Sequence, residues 1–201
     1  GGVQGEGLKA WRESACEGSE RVGRIVGDWK TFAREPGDEG MAPLDVEKVS
    51  DLSVSIAFSA FKHKARLVRE HEPRLVVLGD PTRLSQVLVN LLLNAAQALS
   101  GDDLEKNEIR LSSYEEDGEV LIEVADNGSG IPAHILPRIF EPFYTTKPVG
   151  VGTGLGLSIC KNLVERMGGV MEVETSSEGT VFRLRLHVAE DEVLSDPTAE
   201  A

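Results

Sequence analysis

The chain has 201 residues, 40% hydrophobic and 27% charged, with a formal net charge of −13. That length holds one substantial domain with room for a helical appendage, and the composition is ordinary for a globular protein. The acidic excess argues against a general nucleic-acid or anionic-membrane binder, and any bound phosphate would need local cations or a metal to offset it.

Residues 8 to 33 read as one amphipathic helix, with Leu8, Trp11, Ala15, Val22, Ile25, Val26, Trp29 and Phe32 recurring at three- and four-residue steps. Such a stripe must be buried against another helix, in this chain or a partner. Glu35 to Pro43, with two prolines and two glycines, reads as a linker. Asp45 to Phe61 is a second amphipathic helix, Ala65 to Glu70 a short strand, and Leu75 to Leu78 another, closed by Gly79-Asp80-Pro81. Pro81 to Leu99 is helical, with proline suited to the first turn and Asp80 as its cap. Its most apolar run, Val87 to Leu99, is too short to span a bilayer, and no secretory signal is evident.

Ser100 to Asn107 is a polar connection. Ile109 to Tyr114 and Glu119 to Ala125 alternate about Asp117-Gly118 as a hairpin. Asp126 to Thr153 is a long irregular segment, of the kind that is functional or disordered in a compact domain. Leu155 to Met167 is a helix stopped by Gly168-Gly169. It carries Cys160, which reads as core filler. Cys16 and Cys160 have no metal-ligand spacing and point to a reduced, cytoplasmic compartment. Val170 to Thr175 and Thr180 to His187 pair as the last strands, and Ala189 to Ala201 is an acidic disordered tail.

Three features carry chemistry. Gly150 to Leu157 (GVGTGLGL) runs into a helix, so it is either a flexible linker or a loop that brings backbone N–H groups and a helix N-terminus to an anion. It matches neither GxxxxGK[ST] nor GxGxxG. On the helix from Pro81, the uncharged Gln86, Asn90, Asn94 and Gln97 share one narrow face, and nothing from Leu84 to Gly101 is charged. That suits a half-buried pocket wall better than a solvated surface. Period two places Asp126 at the end of the core-facing row Val120, Ile122, Val124, where its carboxylate either caps a turn or accepts a hydrogen bond from a ligand. Gly128 and Gly130 would let the backbone turn beneath that ligand.

Taken in order, the asparagine helix, Asp126-x-Gly-x-Gly130, Ile139-Phe-Glu-Pro-Phe-Tyr-Thr-Thr-Lys147 and Gly152-Thr-Gly154-Leu-Gly156-Leu157 resemble the N, G1, F and G2 boxes of sensor histidine kinases. Gly179-Thr180 is similar to their final glycine-threonine element. The match covers roughly residues 44 to 188. The resemblance implies a Bergerat-type α/β two-layer sandwich, a mixed sheet with helices on one face and a lid over ATP and Mg²⁺. It implies domains at 1–37 (a partial dimerisation helix), 38–188 (the catalytic domain) and 189–201 (the tail).

By the same resemblance Asp126 accepts from the adenine amino group with Thr180 beside it. Asn94 is the metal ligand, and Asn90 lies one turn earlier as a candidate catalytic group. Gly128, Gly130, Ile131, Phe140, Gly152, Thr153, Gly154, Leu155, Gly156 and Leu157 shape the nucleotide pocket, and Lys147 reaches phosphate from the lid. Phe140 and Phe143 are expected to anchor that lid by burial. Gln97 departs from the pattern, since many members carry lysine there. The phosphoacceptor box is missing, and none of His63, His71, His134 and His187 has its context. The implied partners are a histidine-box helix of the parent kinase, a response-regulator receiver domain and a second copy of the kinase, without nucleic acid or direct membrane contact. The alternative is a nucleotide-binding regulatory module or a dimer-gating ATPase of the same superfamily.

Overall fold

The computed structural model describes residues 40–101, 103–147 and 152–189. The amphipathic segment 8–33, Gly150 and the tail from residue 190 lie outside the described residues. The elements are β1 (Ala42–Asp45), α1 (Val46–Phe61), β2 (Arg66–His71), β3 (Val76–Gly79), α2 (Pro81–Ala98), β4 (Glu108–Glu116), β5 (Glu119–Asp126), α3 (Gly156–Arg166), β6 (Val170–Ser176) and β7 (Gly179–His187). A short 3-10 turn, Leu136–Arg138, interrupts the long segment after β5.

Five strands form a mixed sheet in the order β2-β4-β5-β7-β6, and β1 pairs with β3 in a separate two-stranded ribbon. Only β2 and β4 run parallel. The linker reading therefore fails at its end, because Pro43 lies inside β1, opposite Leu78. Proline is tolerated there because β1 is an edge strand. The tail reading is also corrected at its start: Ala189 N–H donates to Val76 O at 2.9 Å, and Val188 bridges Val77. That pairing ties the ribbon to the end of β7.

α2 is the spine of the helical layer. Asp80 Oδ1 accepts from Thr82 N at 2.8 Å and Arg83 N at 3.2 Å, and Pro81 opens the first turn. These contacts satisfy N–H groups that a helix leaves unpaired. Its apolar stripe, including Leu84, Leu88, Leu91 and Leu92, is fully buried in the same cluster as Val120, Ile122 and Val124 of β5. Each such side chain contributes roughly 1.5–3 kcal/mol of burial. Small residues set the α1–α2 contact: buried Ser53 Oγ lies 3.1 Å from Ser85 Oγ and donates to Val49 O at 2.7 Å. Cys160 is buried and its thiol faces Val87 O, as expected of core filler.

The opposite sheet face carries charge. Arg183 pairs with Glu123 at 2.6 Å and Glu174 at 2.9 Å, and Arg185 with Glu172 at 3.1 Å. Those carboxylates hold the Arg183 guanidinium further above its ordinary value. The described helices accordingly lie on one face only. No described helix is long and apolar enough to cross a membrane.

Candidate nucleotide site

The candidate residues gather along the polar face of α2. At the C-terminal end of β5, Asp126 sits between Ile109 of β4 and Thr180 of β7. Its Oδ1 accepts from Gly128 N at 2.9 Å. Burial pushes its carboxyl above the usual range, opposed by hydrogen bonds from the Gly128 and Thr180 backbone. A carboxylate held there without a cation partner among the described residues is suited to accept from a neutral N–H donor.

The turn after Asp126 is pressed against its neighbours. A Cβ on Gly128 would stand 2.5 Å from Ala98 O, at the last turn of α2. At Gly130, φ is +69° and a Cβ would lie 1.7 Å from Ser176 O, so only glycine fits. Ile131 N then donates to Thr175 Oγ1 at 2.8 Å, and that hydroxyl lies 3.2 Å from Thr180 Oγ1. Sequence reasoning missed Thr175. Period two across the Ser176 to Gly179 turn pairs it with Thr180 and is the signal that could have found it. Asn127 was missed as well. It accepts from Glu108 N at 2.8 Å and donates to Lys106 O at 2.6 Å, pinning the turn to the start of β4.

Further along α2, Gln86, Asn90 and Asn94 are half-buried and Gln97 is exposed. Asn90 Nδ2 donates to Gly156 O at 3.3 Å, which joins α2 to the first residue of α3. Among the described residues, no side chain caps the N-terminus of α3. Thr153 Oγ1 accepts from Leu155 N at 3.3 Å, and Leu155 is buried while Leu157 packs on the core. Gly154 has φ +68°, and a Cβ on it would lie 2.4 Å from the carbonyl carbon of Phe143; a Cβ on Gly152 would lie 2.5 Å from Thr145 Oγ1. These glycines let the segment entering α3 lie against the irregular Phe143 to Lys147 segment of the lid.

Two expectations about the lid change. Phe140 packs on the core beneath Lys161, whose Nζ is 5.3 Å from the ring centroid. Phe143, by contrast, is 68% exposed with φ +66°, so only one of the two phenylalanines anchors the lid. Gly154 approaches the Phe143 backbone closely, while the Phe143 residue stays largely exposed. Lys147 is not free either: its Nζ donates to Asn94 Oδ1 at 3.3 Å and to Gln97 Oε1. Burial holds its ammonium below the ordinary lysine value. A shallow open cleft lined by Glu70, His71, Arg110, Ser112 and Tyr114 lies elsewhere, at the β2–β4 end of the sheet.

A family model described as histidine kinase-, DNA gyrase B- and HSP90-like ATPase matches residues 79–190, from the end of β3 through the last strand. The chain belongs to this family. It is 39% identical over 174 residues to the two-component sensor PprA of Pseudomonas aeruginosa, covering 84% of this chain and 19% of that protein. It is 38% identical over 179 residues to the C4-dicarboxylate transport sensor protein DctB of Rhizobium meliloti, covering 88% of this chain and 28% of that protein. The chain thus spans less than a third of either relative. Full-length ShkA, solved in complex with AMPPNP, superposes with a TM-score of 0.75 at 27% identity, covering 94% of this chain and 40% of that one. The domain is the ATP-binding catalytic domain of a two-component histidine kinase, and ATP with Mg²⁺ are its cofactors.

Proposed function

We propose that this domain transfers the γ-phosphoryl group of ATP to a histidine on a helix of its parent kinase, from which a response-regulator receiver domain takes it. The parent works as a homodimer with this part of it in the cytoplasm, and the catalytic unit is 38–188. The observation that carries the reading is the convergence on one face of α2. Asp126 and Gly128 lie at its C-terminal end, Lys147 on Asn94, and Gly156 on Asn90. Chain segments up to 66 residues apart meet there.

The donor set suits an adenine nucleotide. Asp126 accepts from the adenine amino group, and Thr180 with Thr175 holds the adjoining backbone. Gly128, Gly130 and Ile131 floor the base, with Phe140 fixing the lid behind them. The amide oxygen of Asn94 is a hard ligand of the kind that takes Mg²⁺ beside phosphate oxygens. Bound magnesium neutralises phosphate charge during transfer. Gly152, Thr153, Gly154, Leu155, Gly156 and Leu157 bring the uncapped start of α3 to the phosphates. Lys147 adds a cation, and Asn90 orients that helix start through Gly156. With no acid–base pair among these groups, the chain's part is positioning and charge neutralisation.

The deciding experiment mixes the chain with γ-labelled ATP and the histidine-bearing helix of its parent kinase. Acid-labile, base-stable label on that helix is the expected result. Tight nucleotide binding with no transfer would favour a regulatory module, and steady hydrolysis without transfer a dimer-gating ATPase.

A further inference from the structure

The ammonium of Lys147 is held by two neutral amide oxygens, Asn94 Oδ1 and Gln97 Oε1, on the last two turns of α2. No residue of α2 beyond Arg83 is charged, so the positive charge on this part of the face comes from another element. The contact spans 53 residues of sequence to Asn94 and holds the end of the lid segment against the helix. It is reinforced behind the ammonium, where Lys147 N–H donates to Thr145 Oγ1 at 3.1 Å. Thr145 Oγ1 and the Lys147 side chain are also the atoms a Cβ on Gly152 would strike.

An amide carbonyl oxygen that accepts from an ammonium is also a hard donor for a divalent cation. Two cations in contact with the same oxygen repel each other strongly where water is partly excluded. We propose that Lys147 and the nucleotide's magnesium ion compete for Asn94, and that Gln97 is the positioning residue that keeps Lys147 there while no nucleotide is bound. The proposal rests on the reading of Asn94 as the metal ligand. Its consequence is an exchange of cations: the ammonium leaves the amide pair, reaches phosphate oxygens, and takes the Thr145 to Lys147 segment with it. Metal entry and lid rearrangement are then one event.

Calorimetry of the 201-residue chain with ADP over a range of magnesium concentrations reads this competition. Gln97→Leu removes one acceptor and leaves Asn94 and Lys147 in place. The magnesium concentration giving half of the full gain in ADP affinity should fall about ten- to a hundred-fold, the worth of one hydrogen bond to a charged group. ADP affinity without magnesium should not change. Lys147→Met should lower the same midpoint while weakening ADP binding itself. Midpoints unchanged in both variants overturn the competition while leaving the Asn94 assignment standing. A wild-type chain that binds ADP with no magnesium dependence overturns the assignment and the proposal together. As a second readout, the NMR signal of the Lys147 side chain should shift on adding Mg-ADP, and a signal that stays in place also overturns the exchange.

Discussion

Asp126 illustrates how a single residue can be unfavourable for the fold and suited to a ligand. Its carboxyl is pushed up by burial, so the folded state favours the protonated form and loses relative stability as pH rises from the unfolded value through the folded one. Asp126→Asn should therefore leave the thermal midpoint at neutral pH unchanged or higher. The same substitution should weaken ADP binding by roughly 1.5–3 kcal/mol, the worth of a charge-assisted hydrogen bond; equal affinity by calorimetry would remove Asp126 from the site. His71 works in the other direction. Its Nδ1 meets Ser113 Oγ at 2.7 Å, and its Nε2 is buried without a partner among the described residues, so a second proton would have no acceptor there. Burial and then Arg69 lower its pKa from 6.5, against the pull of Glu47 and Asp51. The stability it contributes is full above that ordinary value and is lost as pH falls through it towards the lower folded one. Denaturant midpoints measured between about pH 7.5 and about pH 5.5 should fall more for the wild type than for His71→Gln. Parallel curves would show that His71 does not titrate differently on folding.

At the scale of elements, the turn after β5 and the lid depend on close approach more than on side-chain contacts. Gly118 and Gly130 both have positive φ, but a Cβ on Gly118 meets nothing within 4 Å while one on Gly130 meets Ser176 O at 1.7 Å. Gly118→Ala should cost about 1 kcal/mol from backbone strain alone, whereas Gly130→Ala should cost several times that because β6 must move. Similar urea midpoints for the two variants would contradict the packing described. The lid from Ile131 to Lys147 contains only one 3-10 turn. Apart from Phe140 and Ile139, few of its side chains are deeply placed. Such a segment lies at the low end of local stability and is readily ordered by ligand contacts. Amide exchange from Ile131 to Lys147 should slow on adding Mg-ATP, and exchange that stays as fast would count against its role over the nucleotide.

For the whole molecule, the remaining question is whether the chain can phosphorylate itself. Described histidines lie at the end of α1 (His63), at the sheet edge (His71), in the lid (His134) and at the end of β7 (His187). None lies within a described helix beside carboxylate and arginine neighbours. Incubation with γ-labelled ATP should leave the chain itself unlabelled, and acid-labile label on any of the four would overturn that expectation. The sequence alone determined the element order and the sheet pairing by hairpin. Period-two and period-3.6 burial are properties of consecutive residues, and capping by Asp80 and the stop at Gly168 are equally local. It also determined the family, because five short boxes in a fixed order are a linear signal. It missed β1, whose four residues have meaning only opposite β3, and Thr175, whose hydroxyl matters only because Gly130 turns beneath it. The exposure of Phe143 and the placement of Lys147 on Asn94 and Gln97 were decided by tertiary structure. Both depend on how a segment without periodicity lies across a helix some 50 residues away in sequence. No local pattern encodes that contact, because its free energy comes from partners that only the folded chain brings together.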